Sequence, residues 1–104
     1  MIRVTVSYPA TSGARFDLDY YLTKHMPMVQ DRLKKFGMIN YSVSKGLGGF
    51  APGSPAEFMV TAQLNVDTME NLQAGMASES AGIMADIPNY TDIAPKIQID
   101  EVLV

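Results

Sequence analysis

Ile2, Val4, Val6 and Tyr8 alternate with Arg3, Thr5 and Ser7, the period of a half-buried strand. A turn-rich PATSGA follows, and then a helical pattern runs from about Asp17 to Phe36, with Gly37 placed to close it. Ile39, Tyr41 and Val43 alternate with Asn40, Ser42 and Ser44 in a second strand. Residues 46–56, GLGGFAPGSPA, are too rich in Gly and Pro for regular structure. Phe58, Val60, Ala62, Leu64 and Val66 make the longest strand of the chain. Asp67 and Glu70 read as an acidic capping box opening a second helix, with Met69, Leu72, Met76, Ile83 and Ile87 on one face. Its weakly helical centre, AGMASESAG, predicts a break near Ser78, and Pro88 is expected to stop it. Ile97 and Ile99 against Gln98 and Asp100 mark the last strand.

The order strand, helix, strand, strand, helix, strand predicts an α+β, ferredoxin-like βαββαβ fold. It would be a single domain over residues 1–104, an antiparallel four-stranded sheet with two helices on one face. The apolar face belongs under the helices. The other face carries Thr5, Ser7, Asn40, Ser42, Ser44, Thr61, Gln63, Asn65 and Gln98, so it is polar but mostly uncharged. A sheet face left in water usually carries more Lys and Glu, so a second copy is expected to cover it.

At about 100° per residue, Leu18, Leu22, Val29, Leu33 and Phe36 share one stripe of the first helix, and His25 falls inside it. Tyr21 lies on the flank of that stripe. Pro27 falls on the opposite, outer face, where a helix-interior proline costs about 3 kcal/mol. The expected result is a bend over the sheet, centred on the turn around His25. Two readings of His25 stand at this point. It is a core residue with its nitrogens satisfied by backbone or a tyrosine, or it is a general base or hydrogen-bond donor in a small-molecule cavity. In the second reading Tyr21, Tyr8 and Tyr41, all expected to face the helix–sheet interior, orient the ligand.

Composition narrows the function classes. Hydrophobic residues make up 47% and charged residues 18% of 104, which is globular rather than disordered. A net charge of −3 with scattered cations argues against nucleic acid or an anionic membrane as partner. No stretch approaches a membrane span, and MIRVTVSY reads as a strand rather than a leader, so a cytoplasmic location is expected. With no cysteine there is neither disulfide nor thiolate chemistry, and with one histidine no metal site is expected. Gly46, Gly48 and Gly49 lie between strands with no helix behind them, so they imply no phosphate site. No cofactor is expected; haem ligation by His25 stays open on one weak signal. Eight methionines suggest adaptable apolar surfaces around a pocket or an interface, or a Met-rich core.

DYYLTKHMPMV at residues 19–29, with its aromatic residues and H-x-P element, resembles the first-helix signature of the EthD family. ADIPNYTD at 85–92, the closing strand PKIQIDEV and the Gly/Pro-rich hairpin loop resemble the same family. That resemblance implies a homodimeric α/β barrel, two ferredoxin-like sheets face to face with the helices outside. The family is named for a protein linked to ethyl tert-butyl ether degradation beside a cytochrome P450 system. Its wider superfamily includes cofactor-independent monooxygenases, polyketide cyclases, muconolactone isomerase and haem-degrading enzymes, whose sites lie between helices and sheet. The expected function is thus a small protein binding an apolar organic molecule, as an oxidoreductase-type or accessory component of a catabolic or oxidative pathway. A non-enzymatic carrier or oxygenase partner, and a polyketide-cyclase-like or haem-binding protein, are the alternatives. Fold alone does not choose among them.

Overall fold

The computed structural model describes residues 1–104. Strand β1 spans Ile2–Pro9, β2 Met38–Lys45, β3 Phe58–Val66 and β4 Lys96–Glu101. They form one sheet in the order β2-β3-β1-β4, with every neighbouring pair antiparallel. Two helical segments cross one face, completing the ferredoxin-like βαββαβ arrangement. Val4 and Tyr8 of β1, and Val60, Ala62, Leu64 and Val66 of β3, are buried beneath the helices, as the two-residue period requires.

The opposite face is built of matched polar rows. Asn40, Asn65 and Arg3 run side by side, then Ser42, Gln63 and Thr5, then Ser44, Thr61 and Ser7. Arg3 Nε donates to Asn65 Oδ1 at 3.0 Å, and Asn65 Nδ2 donates to Asn40 Oδ1 at 2.7 Å. β4 adds Gln98 beside Thr5.

The first helix is made of unlike turns. A short α-helical start, α1 (Leu18–Tyr20), is capped by Asp17, whose carboxylate accepts from the Tyr20 backbone N–H. A π-helical turn follows at Tyr21–His25, then α2 (Met26–Leu33) and a 3-10 turn at Lys34–Phe36. Gly37, at φ 85°, ends the run as the sequence predicts. The wide turn answers the proline: the Met26 N–H reaches back five residues to the Tyr21 carbonyl, and Pro27 lands in the first turn of α2, where its missing N–H is tolerated.

The π-turn also corrects the expected stripe. One extra residue per turn shifts the phase, so Tyr21 (1% exposed) and Met26 face inward while Leu22 is left 45% exposed. His25, Val29 and Leu33 remain inward. A constant 100° step carries Leu22 to the core only if the helix is regular throughout, and here it is not.

Helix α3 (Met69–Ala85) starts one residue later than expected, because Thr68 is the N-cap; its hydroxyl accepts from the Asn71 N–H. Asp67 supports the turn from outside by accepting from the Thr68 N–H and the Asn71 side chain. The predicted break near Ser78 is absent. Packing holds the weak centre: Gly75 sits against Phe36 and Leu33, and Arg32 lies over Gly82 and bonds Glu79. Tertiary contact overrides intrinsic propensity here. No helix is long and apolar enough to cross a membrane.

Candidate functional site

The segment after α3 brings the chemistry together. The 3-10 turn at Ile87–Asn89 leads into Tyr90, and this stretch is laced to residues 15–17. The Asp17 N–H donates to the Tyr90 carbonyl at 2.7 Å, Thr91 Oγ1 donates to the Arg15 carbonyl at 2.6 Å, and the Arg15 N–H donates to Asp92 Oδ1 at 3.0 Å. Asp86 and Tyr90 are thereby fixed above the π-turn that presents Tyr21 and His25.

His25 is 4% exposed, and both ring nitrogens are engaged. Nδ1 lies 2.8 Å from Asp86 Oδ2, and Nε2 lies 3.3 Å from the Tyr90 hydroxyl. The Tyr90 hydroxyl is in turn 2.7 Å from that of Tyr8. Asp86 also accepts from the Tyr20 hydroxyl at 2.7 Å and from Asn89 Nδ2 at 2.9 Å, both on Oδ1. The aromatic rings interlock: Tyr21 stacks on His25 at 5.3 Å and 15°, and Phe16, Tyr8 and Tyr90 meet Tyr21 at steep or tilted angles.

The charge states follow from the surroundings. Burial pushes the His25 pKa below its ordinary value, outweighing the opposing pull of Asp86, so the imidazole is neutral at pH 7. Burial alone would raise Asp86, but bonds from Asn89, His25 and Tyr20 more than offset it, and its carboxyl stays below the usual carboxylate value. Burial raises Tyr8, Tyr21 and Tyr90, so all three remain protonated phenols. A carboxylate can only accept, so Nδ1 carries the histidine proton and Nε2 carries the lone pair. Tyr90 is the hydroxyl within reach of Nε2, so it donates there, and its oxygen then accepts from Tyr8. The result is one directed chain: Tyr8 to Tyr90, Tyr90 to His25, His25 to Asp86.

His25, Tyr8 and Tyr21 line a cavity of about 60 Å³ between the first helix, α3 and the sheet. Its other walls are apolar, among them Val29, Leu64 and Ile83. Met84 and Ile97 line it too, and both are about half exposed, which puts its mouth at the seam between α3 and the β4 edge.

A family model, the EthD domain, matches residues 9–94. The chain belongs to the EthD family. An EthD-like protein from Ralstonia eutropha JMP134 is 50% identical, superposes with a TM-score of 0.92, and the match covers 99% of this chain and 92% of that one. An ethyl tert-butyl ether degradation (EthD) family protein from Bacillus halodurans C-125 shares the fold at 18% identity and TM-score 0.73, over 99% of both chains. A dimeric ferredoxin-like protein from Thermobifida fusca YX shares it at 16% identity and TM-score 0.51, over 97% of this chain and 90% of that one. No curated protein matches.

Within this EthD domain the structure brings together three of the four residues named from sequence. His25, Tyr8 and Tyr21 meet at the cavity, whereas Tyr41 stands half-buried on β2 opposite Leu64, away from the cavity lining and from the other tyrosines. Sequence reasoning missed Asp86, Tyr90, Tyr20 and Phe16. The first two lie inside ADIPNYTD, the segment that carried the family resemblance, but no spacing rule ties residue 86 or 90 to residue 25.

Proposed function

We propose that this EthD-family protein is a homodimeric enzyme that performs general acid–base chemistry on an apolar organic molecule bound between the first helix, α3 and the sheet. The observation that carries the reading is the directed chain Tyr8–Tyr90–His25–Asp86 beside an apolar cavity. A proton leaving the substrate passes to the Tyr8 oxygen as Tyr8 hands its own to Tyr90, and Tyr90 hands its own to His25 Nε2. Asp86 stabilises the imidazolium that forms, and the reverse sequence returns the proton. A positioned base of this kind contributes about 10²–10⁴-fold to a rate.

The cavity of about 60 Å³ is smaller than the roughly 300–1,000 Å³ of sites for drug-sized ligands. Met84 and Met26, both in its wall, are the side chains able to yield, because an unbranched thioether repacks with little strain.

In this reading a second copy covers the polar sheet face. Short and mostly uncharged side chains in matched rows, with Arg3, Lys96 and Asp100 the charged members, suit an enclosed, partly wet interior, and a Thermobifida fusca protein of like fold is itself described as dimeric. Light scattering at micromolar concentration is expected to give twice the monomer mass.

The chemical assignment is tested by screening a panel of apolar organic compounds against the wild type and His25→Gln. Turnover is expected in the wild type and lost in the variant, with thermal stability and mass at pH 8 retained. A pure carrier needs the cavity but not an Asp-backed histidine, so binding without turnover in both proteins would favour that role instead.

A further inference from the structure

The hairpin loop between β2 and β3 is an arm with an apolar tip and nothing to pack it against. Residues 46–56 include no charged side chain. Hydrogen bonds give the arm a fixed shape. The Gly46 N–H donates to the Met59 carbonyl and the Gly49 N–H to the Ser54 carbonyl, while both the N–H and the hydroxyl of Ser54 donate to the Ala51 carbonyl. Yet Leu47 is 96% exposed, and Phe50 is exposed in full. A solvated loop is normally polar; an ordered arm that holds a Leu and a Phe in water has another surface to meet.

A matching surface lies at the far edge of the sheet. β4 is an edge strand, and its Ile97 and Ile99 pair with Val6 and Val4 of β1, on the apolar face. The helices stop short of them, so both are about half exposed, as is Met84 at the end of α3. Met84 and Ile97 are the two side chains at the cavity mouth. Ile97 also lines a groove of about 310 Å³ on the polar side of β4, so it is the wall between the site and the outside. The accessible surface of the whole chain is 6425 Å², whereas a folded monomer of 11.4 kDa exposes about 5,800 Å². The excess, about 600 Å², approaches the roughly 800 Å² that each partner gives up in a standard interface.

We propose that the occupant is a second copy of this chain, and that Leu47 and Phe50 of each copy close over Met84, Ile97 and Ile99 of the other. The proposal rests on the homodimer reading above and adds what the second copy gives the site: the partner's arm walls the cavity mouth, so the cavity is complete only in the dimer. The chain itself carries both halves of the contact, at opposite edges of one sheet. The arm leaves the sheet at the end where β4 begins, since Phe58 pairs with Pro9 and Lys96 with Ser7. A two-fold axis along the strands turns the polar faces toward each other and lays each β2–β3 edge over the other copy's β4. It keeps both arms at that same end, and the two contacts are identical, as a closed dimer requires.

The chain has no cysteine, so Ala51→Cys in the arm takes a single nitroxide label. This full-length protein, without isotope, is exchanged with an equal amount of wild type carrying ¹³C-labelled methionine methyls, so any broadening arises between copies. Relative to the same sample after reduction of the nitroxide, the Met84 signal is expected to be strongly broadened. Met69, about 22 Å away along α3, is expected to keep its signal. Light scattering on the same sample gives the mass. A dimer whose Met84 is not broadened would overturn the proposal and leave the homodimer reading standing; a monomer ends both. Phe50→Ser alters a position that folding leaves in solvent, and is expected to keep its thermal stability as a monomer while weakening dimerisation at least about 10-fold. An unchanged dissociation constant in Phe50→Ser would likewise overturn the proposal.

Discussion

Nδ1 of His25 and Oδ2 of Asp86 lie 2.8 Å apart, although 61 residues separate them in the chain. The pair joins the π-turn of the first helix to the residue that ends α3, so it sets both the tautomer of the histidine and the seating of one helix on the other. Because the chain has one histidine, a magnetic-resonance titration reads this group alone.

Asp86→Asn keeps an acceptor for Nδ1 but removes the charge that favours the imidazolium. The His25 pKa, already lowered by burial, is expected to fall further, and activity to drop with it. A His25 titration unchanged in Asp86→Asn would break the link between the two residues.

Acid should unfold this protein in steps that can be assigned. The folded pKa of His25 lies below its ordinary 6.5, so the unfolded chain binds the extra proton first, and stability declines as pH falls from about 6.5 toward the folded value. Asp86 has the same sign, with its contribution present above 3.8 and lost as pH falls through its depressed folded pKa. Melting temperatures measured from pH 8 to pH 4 are expected to fall, and His25→Gln is expected to flatten the upper part of that fall.

The direction of the tyrosine chain predicts an asymmetry. Tyr90→Phe leaves the Tyr8 proton without an acceptor and His25 Nε2 without a donor, and is expected to cost about 2–3 kcal/mol. Tyr8→Phe leaves a spare lone pair on Tyr90 and takes a phenol oxygen away from Tyr21, and is expected to cost about 1–2 kcal/mol. Urea denaturation orders the two; the reverse order would mean that the chain runs the other way.

The π-turn has its own signature. Leu22, turned outward, is expected to tolerate Ser within about 0.5 kcal/mol, as a surface position does. Met26, turned inward, is expected to lose about 2–5 kcal/mol on replacement by Ala. A regular helix would make Leu22 the costly position.

The order of elements, the inward histidine and, apart from the start of β2, the two faces of the sheet were legible from periodicity, because strand alternation and helical spacing are local properties; at β2 a bulge leaves the expected Ile39 exposed and buries Met38 instead. Gly37 was legible for the same reason: a left-handed closing residue leaves its mark at one position. Pro27 announced an irregularity, but not that the chain would answer it with a wider turn. That answer depends on which side chains the core accepts, and it put Tyr21 and Met26 inside and Leu22 outside. The break expected near Ser78 failed to appear because Gly75 and Gly82 let the two helices approach closely.

By itself the sequence determined the fold, the single histidine and the side of the helix on which it lies. Only the tertiary structure decided what that histidine touches. Asp86 and Tyr90 reach it across more than sixty residues, through a turn held to residues 15–17 by hydrogen bonds that no local pattern encodes. Whether read as a core residue or as the base proposed above, His25 depends on partners that one dimension does not show. In three, burial keeps it neutral, Asp86 orients it, and the tyrosines connect it to the cavity.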